Sequence, residues 1–125
     1  MSEVRVAVPS IRPGGLTAKR SGHFGRCDVF TLVDVKDSEI LNTQVIKNVE
    51  HSEGGCLIPV KMLAEYGVNA IVVSGMGMRP LAGFREAGIE VLIGCGTTVQ
   101  EAIDGFISGR LESMSEQDTC DWSLK

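Results

Sequence analysis

The sequence predicts a single α/β domain, built on a five-stranded mixed sheet with helices on both faces. Three observations carry that prediction. The second half of the 125 residues alternates strand-like and helix-like segments, punctuated by Gly67 and Gly88. The run Ala70 to Ser74 (AIVVS) is apolar nearly throughout, as expected of a strand covered on both sides. Hydrophobic residues make up 43% of the chain but aromatics only 5%, so the core is aliphatic, which suits a sheet packed between helices.

Each element follows from local pattern. Val4, Val6 and Val8 alternate with Arg5 and Ala7 in a first strand that Pro9 is expected to end. A glycine-bearing loop without apolar periodicity, Ser10 to Arg26, comes next; a loop of that length in a compact domain is either functional or disordered. Val29 to Val35 and Ile40 to Ile46 flank Lys36-Asp37-Ser38-Glu39 and read as an antiparallel hairpin. A helix is expected from Leu57 to about Tyr66, with Pro59 in its first turn and Gly67 as its stop. After the fourth strand, Pro80 opens a short helix carrying Leu81, Phe84 and Ala87. Ile89 to Ile93 forms the last strand. Thr98 and Glu101 make a capping box ahead of a helix whose Val99, Ala102, Ile103 and Phe106 share one face. Right-handed crossovers put the first and fourth strands side by side. The expected order is 3-2-1-4-5, with strand 2 antiparallel to the others. The domain is expected to cover residues 1–111, and residues 112–125 form an acidic tail carrying Cys120 and Trp122.

Charge and cysteine usage narrow the function. A net charge of −4 speaks against general nucleic-acid binding. No apolar run reaches the length of a membrane span, and the N-terminus lacks the features of a signal peptide, so a cytoplasmic location and no membrane partner are expected. The four cysteines, Cys27, Cys56, Cys95 and Cys120, contain no C-x-x-C pair. Between Pro9 and Cys27, however, lie Arg12, Lys19, Arg20 and Arg26 with no acidic residue. Two readings stand together: a solvated loop, or an attractor for an anion.

In an open α/β sheet, ligands bind beyond the carboxyl ends of the strands, here between strands 1 and 4. Three glycine loops are expected to meet there: the basic loop, Ser74-Gly75-Met76-Gly77-Met78-Arg79, and Gly94-Cys95-Gly96-Thr97-Thr98. Their amides and the helix N-termini that follow are expected to favour an anion. A nucleotide fits poorly, because Pro80 stands where the dinucleotide pattern needs glycine. Softer donors are present. Ser21-Gly22-His23-Phe24-Gly25-Arg26-Cys27 sets an imidazole and a thiol among glycines, and His51 precedes Cys56. Imidazole, thiolate and thioether are the groups that bind iron, zinc or copper. Against this, a lone histidine is often a loop hydrogen-bonder, and Cys27 and Cys95, at strand ends, also read as small packed hydrophobes. Met76 and Met78 also read as core caps. A nucleophilic enzyme would need a third group to orient a Cys–His pair, and no residue is singled out for it, so no catalytic activity is expected.

Taken together, these segments resemble the dinitrogenase iron–molybdenum cofactor biosynthesis family of the NifX and NafY type, including the orange-protein-like members. The resemblance rests on VAVPS, SGHFGRC, the His51 to Cys56 segment with the helix and strand LIPVKMLAEYGVNAIVVSGMG, RPLAGFREAGIEVLIG and GTTVQEAIDGFISGRLE, and covers Val4 to about Glu112. It implies a ribonuclease-H-like three-layer fold and a carrier for an anionic metal–sulfur cluster: iron–sulfur, an iron–molybdenum precursor, or molybdenum–copper sulfide. The expected cofactor-binding residues are Ser10, Arg20, Ser21, Gly22, His23, Phe24, Gly25, Arg26, Gly54, Gly55, Gly75, Met76 and Gly77; of these the resemblance itself implies His23, Phe24, Gly25, Gly54, Gly55, Gly75 and Gly77, and the others follow from the convergence of the loops and their charge. His23 would be the main metal ligand, with Cys27, His51 and Cys56 as further candidates. Cluster donor or acceptor proteins are the expected partners, and the chain itself a monomer or weak homodimer. A metal-free protein-interaction module of the same fold and a simple zinc-binding domain are the alternatives.

Overall fold

The computed structural model describes residues 3–21, 27–48, 57–74, 78–94, 96–109 and 111–113. Strands β1 (Glu3–Ser10), β2 (Val29–Lys36) and β3 (Glu39–Lys47) form an antiparallel meander. Helix α1 (Leu57–Glu65), β4 (Ala70–Val73), α2 (Met78–Glu86), β5 (Glu90–Ile93), α3 (Val99–Ile107) and the short β6 (Glu112–Ser113) follow. The sheet order is β3-β2-β1-β4-β5-β6. β1 pairs antiparallel with β2 and parallel with β4, so the expected 3-2-1-4-5 arrangement is present.

Two cores sandwich the sheet. On one face α1 and α2 bring Val60, Leu63, Leu81 and Phe84 onto Phe30, Leu32, Ile71 and Val91. On the other, Val99, Ala102 and Ile103 of α3 cover Val6, Val8, Val33, Val72 and Leu92. The buried members of both layers are aliphatic apart from Cys27, Phe30 and Phe84, in keeping with the composition. The β2–β3 turn places Asp37 and Ser38 at φ 54° and 68°, the left-handed pair that matches the twist of a two-residue hairpin.

The structure departs from the sequence expectations in three places. Pro9 does not end β1. It lies beyond the last β1–β4 pair, Ala7 with Ile71, where the parallel ladder asks no donor of it. Helix α2 begins at Met78, two residues before Pro80, because a missing N–H is harmless anywhere in the first turn. Glu112 and Ser113, assigned to the tail, pair with Ile93 and Leu92 as β6. Two residues of strand leave no readable pattern.

At the end of the sheet away from the carboxyl edge, Arg5 joins three elements. Its Nε and Nη2 donate to the Asp34 carboxylate at 2.7 and 3.2 Å, and Nη1 donates to Tyr66 O at 2.7 Å. The Arg5 guanidinium holds the Asp34 carboxyl below its ordinary range. Because the folded carboxyl is the more acidic one, its stabilisation is complete above the unfolded carboxylate range and disappears as pH falls through the folded value. Asp34→Asn should therefore cost about 1–2 kcal/mol at neutral pH. The difference from the parent should shrink in strong acid, as read by urea unfolding at a series of pH values.

Candidate functional site

Because β1, β4 and β5 are parallel, they end at one edge, at Ser10, Val73 and Ile93. Antiparallel pairing of Ser10 with Val29 and of Val29 with Lys47 brings the start of β2 and the end of β3 to the same edge. Four connections thus leave this edge: β1 to β2, β3 to α1, β4 to α2 and β5 to α3. Every residue with candidate chemistry lies on one of the four or at a strand end beside them.

Two side chains bind the described ends of these connections together. Arg20 Nη1 donates to Gly94 O at 3.2 Å and Gly96 O at 3.0 Å, and Nη2 reaches Ser74 Oγ at 3.4 Å. Its backbone N–H donates to Thr97 O at 2.8 Å. One residue of the basic loop therefore grips the exits of both β4 and β5. Asn48 performs the corresponding task on the other side: its Nδ2 donates to Cys27 O at 2.9 Å and its N–H to Asp28 O at 3.2 Å. Neither grip was foreseen. Nothing in the sequence marks these partners, which lie 20 or more positions apart.

The basic loop is ordered by burial as well as hydrogen bonds. Ala18 is buried and Leu16 packs onto the α3-side core. Gly14 adopts φ 82°, and a Cβ there would stand 2.8 Å from Val45 Cγ1, so glycine is required. Beneath it runs a buried relay. Gly15 N–H donates to Thr31 Oγ1 at 3.1 Å, Thr31 and Ser10 hydroxyls meet at 2.9 Å, and Ser10 Oγ donates to Val8 O at 2.6 Å. With Ser10 directing its hydrogen to Val8, the Thr31 hydroxyl supplies the middle bond, and every member is satisfied. The Ser10 hydroxyl is thus held inside the sheet. Ser21 N–H donates to Pro9 O at 2.9 Å.

Helix α3 corrects one expectation about anion binding. Its N-terminal amides already have acceptors: Val99 N–H donates to Ala18 O, Gln100 N–H to Leu16 O, and Glu101 N–H to Thr98 Oγ1. Glu101 Oε1 in turn accepts from the N–H groups of Thr97 and Thr98, which holds its carboxyl below the ordinary range. A helix end so occupied offers no donors to a ligand. The capping box, legible in the sequence, was itself the sign of this. Positive charge at the described rim comes from Arg12, Lys19 and Arg20, with Asp28 and Glu101 opposing it.

The Cys27 thiol lies in the core beneath α1 and α2, and burial pushes its pKa up to about 12. The N–H groups facing it and Asn48 Nδ2 at 3.6 Å do not offset that burial. It is protonated at neutral pH and packs as a small hydrophobe. The other candidates, Gly22, His23, Phe24, Gly25, Arg26, His51, Gly54, Gly55, Cys56, Gly75, Met76 and Gly77, lie outside the described residues, as do Cys95 and Cys120. Among the described residues there is no group of three or more His, Cys, Asp or Glu suited to a metal ion. None of the described helices is long and apolar enough to cross a membrane.

Sheet order, helix placement and a rim built from the carboxyl-end connections define a ribonuclease-H-like three-layer α/β domain. The profile described as dinitrogenase iron-molybdenum cofactor matches residues 3–109, and the chain belongs to that family. An uncharacterised protein of Methanocaldococcus jannaschii is 35% identical over 94 residues, 74% of this chain and 80% of the relative. A Thermotoga protein provisionally described as NifB, of the DUF35 family, is 34% identical with a TM-score of 0.73, covering 88% of this chain and 92% of its own. The apo orange protein of Desulfovibrio gigas superimposes with a TM-score of 0.77 over 89% of this chain and 92% of its own. At 24% identity, that likeness concerns the fold.

Proposed function

We propose that this chain is a non-catalytic carrier that holds an anionic metal–sulfur cluster, iron–sulfur or molybdenum-containing, as cargo in cofactor biosynthesis or storage. The observation that carries the reading is the convergence of four connections on one edge, drawn together by Arg20 and Asn48. The soft donors His23, His51 and Cys56 and the paired glycines Gly54, Gly55, Gly75 and Gly77 all belong to those connections. Membership of an iron–molybdenum cofactor family supports the cargo class.

The described residues suit such a cargo in two respects. Lys19 is exposed beside the rim, and the Arg20 guanidinium sits partly open at the β4 and β5 exits, so positive charge faces the place where a sulfide-rich anion would rest. The Arg20 side chain also fixes the strand exits in advance, which lowers the ordering cost of binding. His23 is proposed as the main ligand, with His51 or Cys56 as a second, and Arg26, Ser21, Gly22, Phe24, Gly25 and Met76 around the cluster. Cys27 would join only by giving up a proton that its surroundings retain. Cytoplasmic donor or acceptor proteins would exchange the cargo.

Anaerobic reconstitution with sulfide and ferrous iron, molybdate or copper tests this directly. The parent chain should develop charge-transfer absorption with stoichiometric metal, and His23→Ala should lose most of both while keeping its unfolding midpoint. Unchanged colour and metal content in His23→Ala discards that ligand. A parent chain that takes up no metal points instead to an interaction module, and one colourless zinc per chain to a zinc site.

A further inference from the structure

The basic loop turns back into the carboxyl edge as a short splint. Ile11 N–H donates to Lys19 O and Ser21 N–H to Pro9 O, both at 2.9 Å, which ties residues 19–21 to the end of β1. Ser10 pairs with Val29 on one flank and bridges Arg20 on the other, the flank on which β4 lies. Arg20 N–H donates onward to Thr97 O at 2.8 Å, and Lys19 bridges Thr98. Arg20 is therefore fixed at the point where connections diverge to the two sides of the sheet.

Ser74 stands beside it. It follows Val73, the last residue of β4, and is exposed. Its Oγ accepts from Arg20 Nη2 at 3.4 Å, so its own hydrogen is directed away from the guanidinium. By contrast, Ser10 directs its hydrogen inward to Val8 O. The acceptors around Arg20 are grouped elsewhere. Gly94 O and Gly96 O both sit on Nη1, and the Glu101 carboxylate is engaged by the Thr97 and Thr98 N–H groups.

A hydroxyl backed by a guanidinium is a pair of donors aimed at one place. Donor atoms 3.4 Å apart can each lie about 2.8 Å from a single oxygen set across them. Oxygen accepts such bonds strongly and sulfur weakly, so the pair favours an oxygen-terminated anion over an all-sulfide one. We infer that Ser74 and Arg20 form a subsite for a tetrahedral oxyanion, which takes the molybdenum part of the cargo through its oxygens. The metal named here rests on the carrier reading above; the donor pair itself does not.

Equilibrium dialysis of the full chain against molybdate alone, without iron or sulfide and at low ionic strength, tests this, with inorganic phosphate as a parallel arm. The parent should bind about one molybdate per chain, at least as tightly as phosphate. Ser74→Ala removes one donor and should weaken binding about tenfold. Ser74→Thr keeps the hydroxyl and should stay within about twofold of the parent. Ser74 makes one long side-chain bond, so the unfolding midpoint of both variants should match the parent's. A parent that shows no saturable molybdate uptake, or binds phosphate only, overturns the inference. So does a Ser74→Ala chain that binds molybdate as the parent does. Iron and sulfide uptake by the parent is measured separately. Uptake of both without molybdate binding removes the subsite and leaves the carrier role. Molybdate binding with no cluster formed under any reconstitution supports the subsite and removes that role.

Discussion

Truncation of Phe84 to alanine should lower the unfolding free energy by about 3–5 kcal/mol, as a fully enclosed aromatic leaves a cavity its neighbours fill only in part. Phe84 is 0% exposed, within the cluster that joins α2 to Ile71, Ile89 and Val91. Its carbonyl also accepts from Ile89 N–H at 2.9 Å, so the side chain seats the helix end that leads into β5. Denaturant unfolding should show a lower midpoint with an unchanged slope. Phe106→Ala makes a suitable control, since Phe106 packs only partly against the α3-side core and should cost clearly less. Equal losses at the two sites would contradict the two-core arrangement.

Arg20→Met should cost about 2–3 kcal/mol, because the aliphatic stem survives while bonds to two carbonyls and a hydroxyl are lost. Unlike the Phe84 effect, this one is concentrated at the carboxyl edge. Amide exchange should accelerate at Arg20 itself, whose N–H is bonded to Thr97 O, and hardly at all within the β2–β3 hairpin. Arg20→Lys separates charge from geometry. A single ammonium cannot reproduce a fork that spans Gly94 O, Gly96 O and Ser74 Oγ, so stability should recover only in part. If lysine restored full stability, the spanning geometry would be irrelevant. Metal uptake in the same pair of variants divides the roles further: retention in the lysine variant assigns Arg20 as charge, and loss in both assigns it as a positioning residue.

Strand order was legible because each rule behind it is local or topological. The alternation around Val6, the apolar run at Ala70 and the Asp37-Ser38 turn identify elements, and crossover handedness arranges them. The capping box at Thr98 and Glu101 was read at the residue level and is present with both reciprocal bonds. What escaped depends on approach between distant residues. Arg20 looked like a free charge on a loop, and only the fold shows that it is occupied by carbonyls 74 and 76 positions away. Ser10 looked like a rim hydroxyl, yet Thr31 and Val8 take it inward. The same spacing that makes Glu101 a cap removes the α3 terminus from the list of anion donors. The site was therefore legible as a location, a sheet edge bearing particular connections, more than as a set of roles.

The position of β1 sets a timetable for synthesis. Its ladder to β2 joins neighbours in the emerging chain, but its other side waits for Ala70 and Ile71, which pair with Val6 and Ala7. A ribosome delivers the three-stranded meander first, with one flank of β1 still unpaired and Phe30 and Leu32 still without α1 and α2 above them. During that interval the nascent chain is a sticky half-sheet, vulnerable to association until the fourth strand docks.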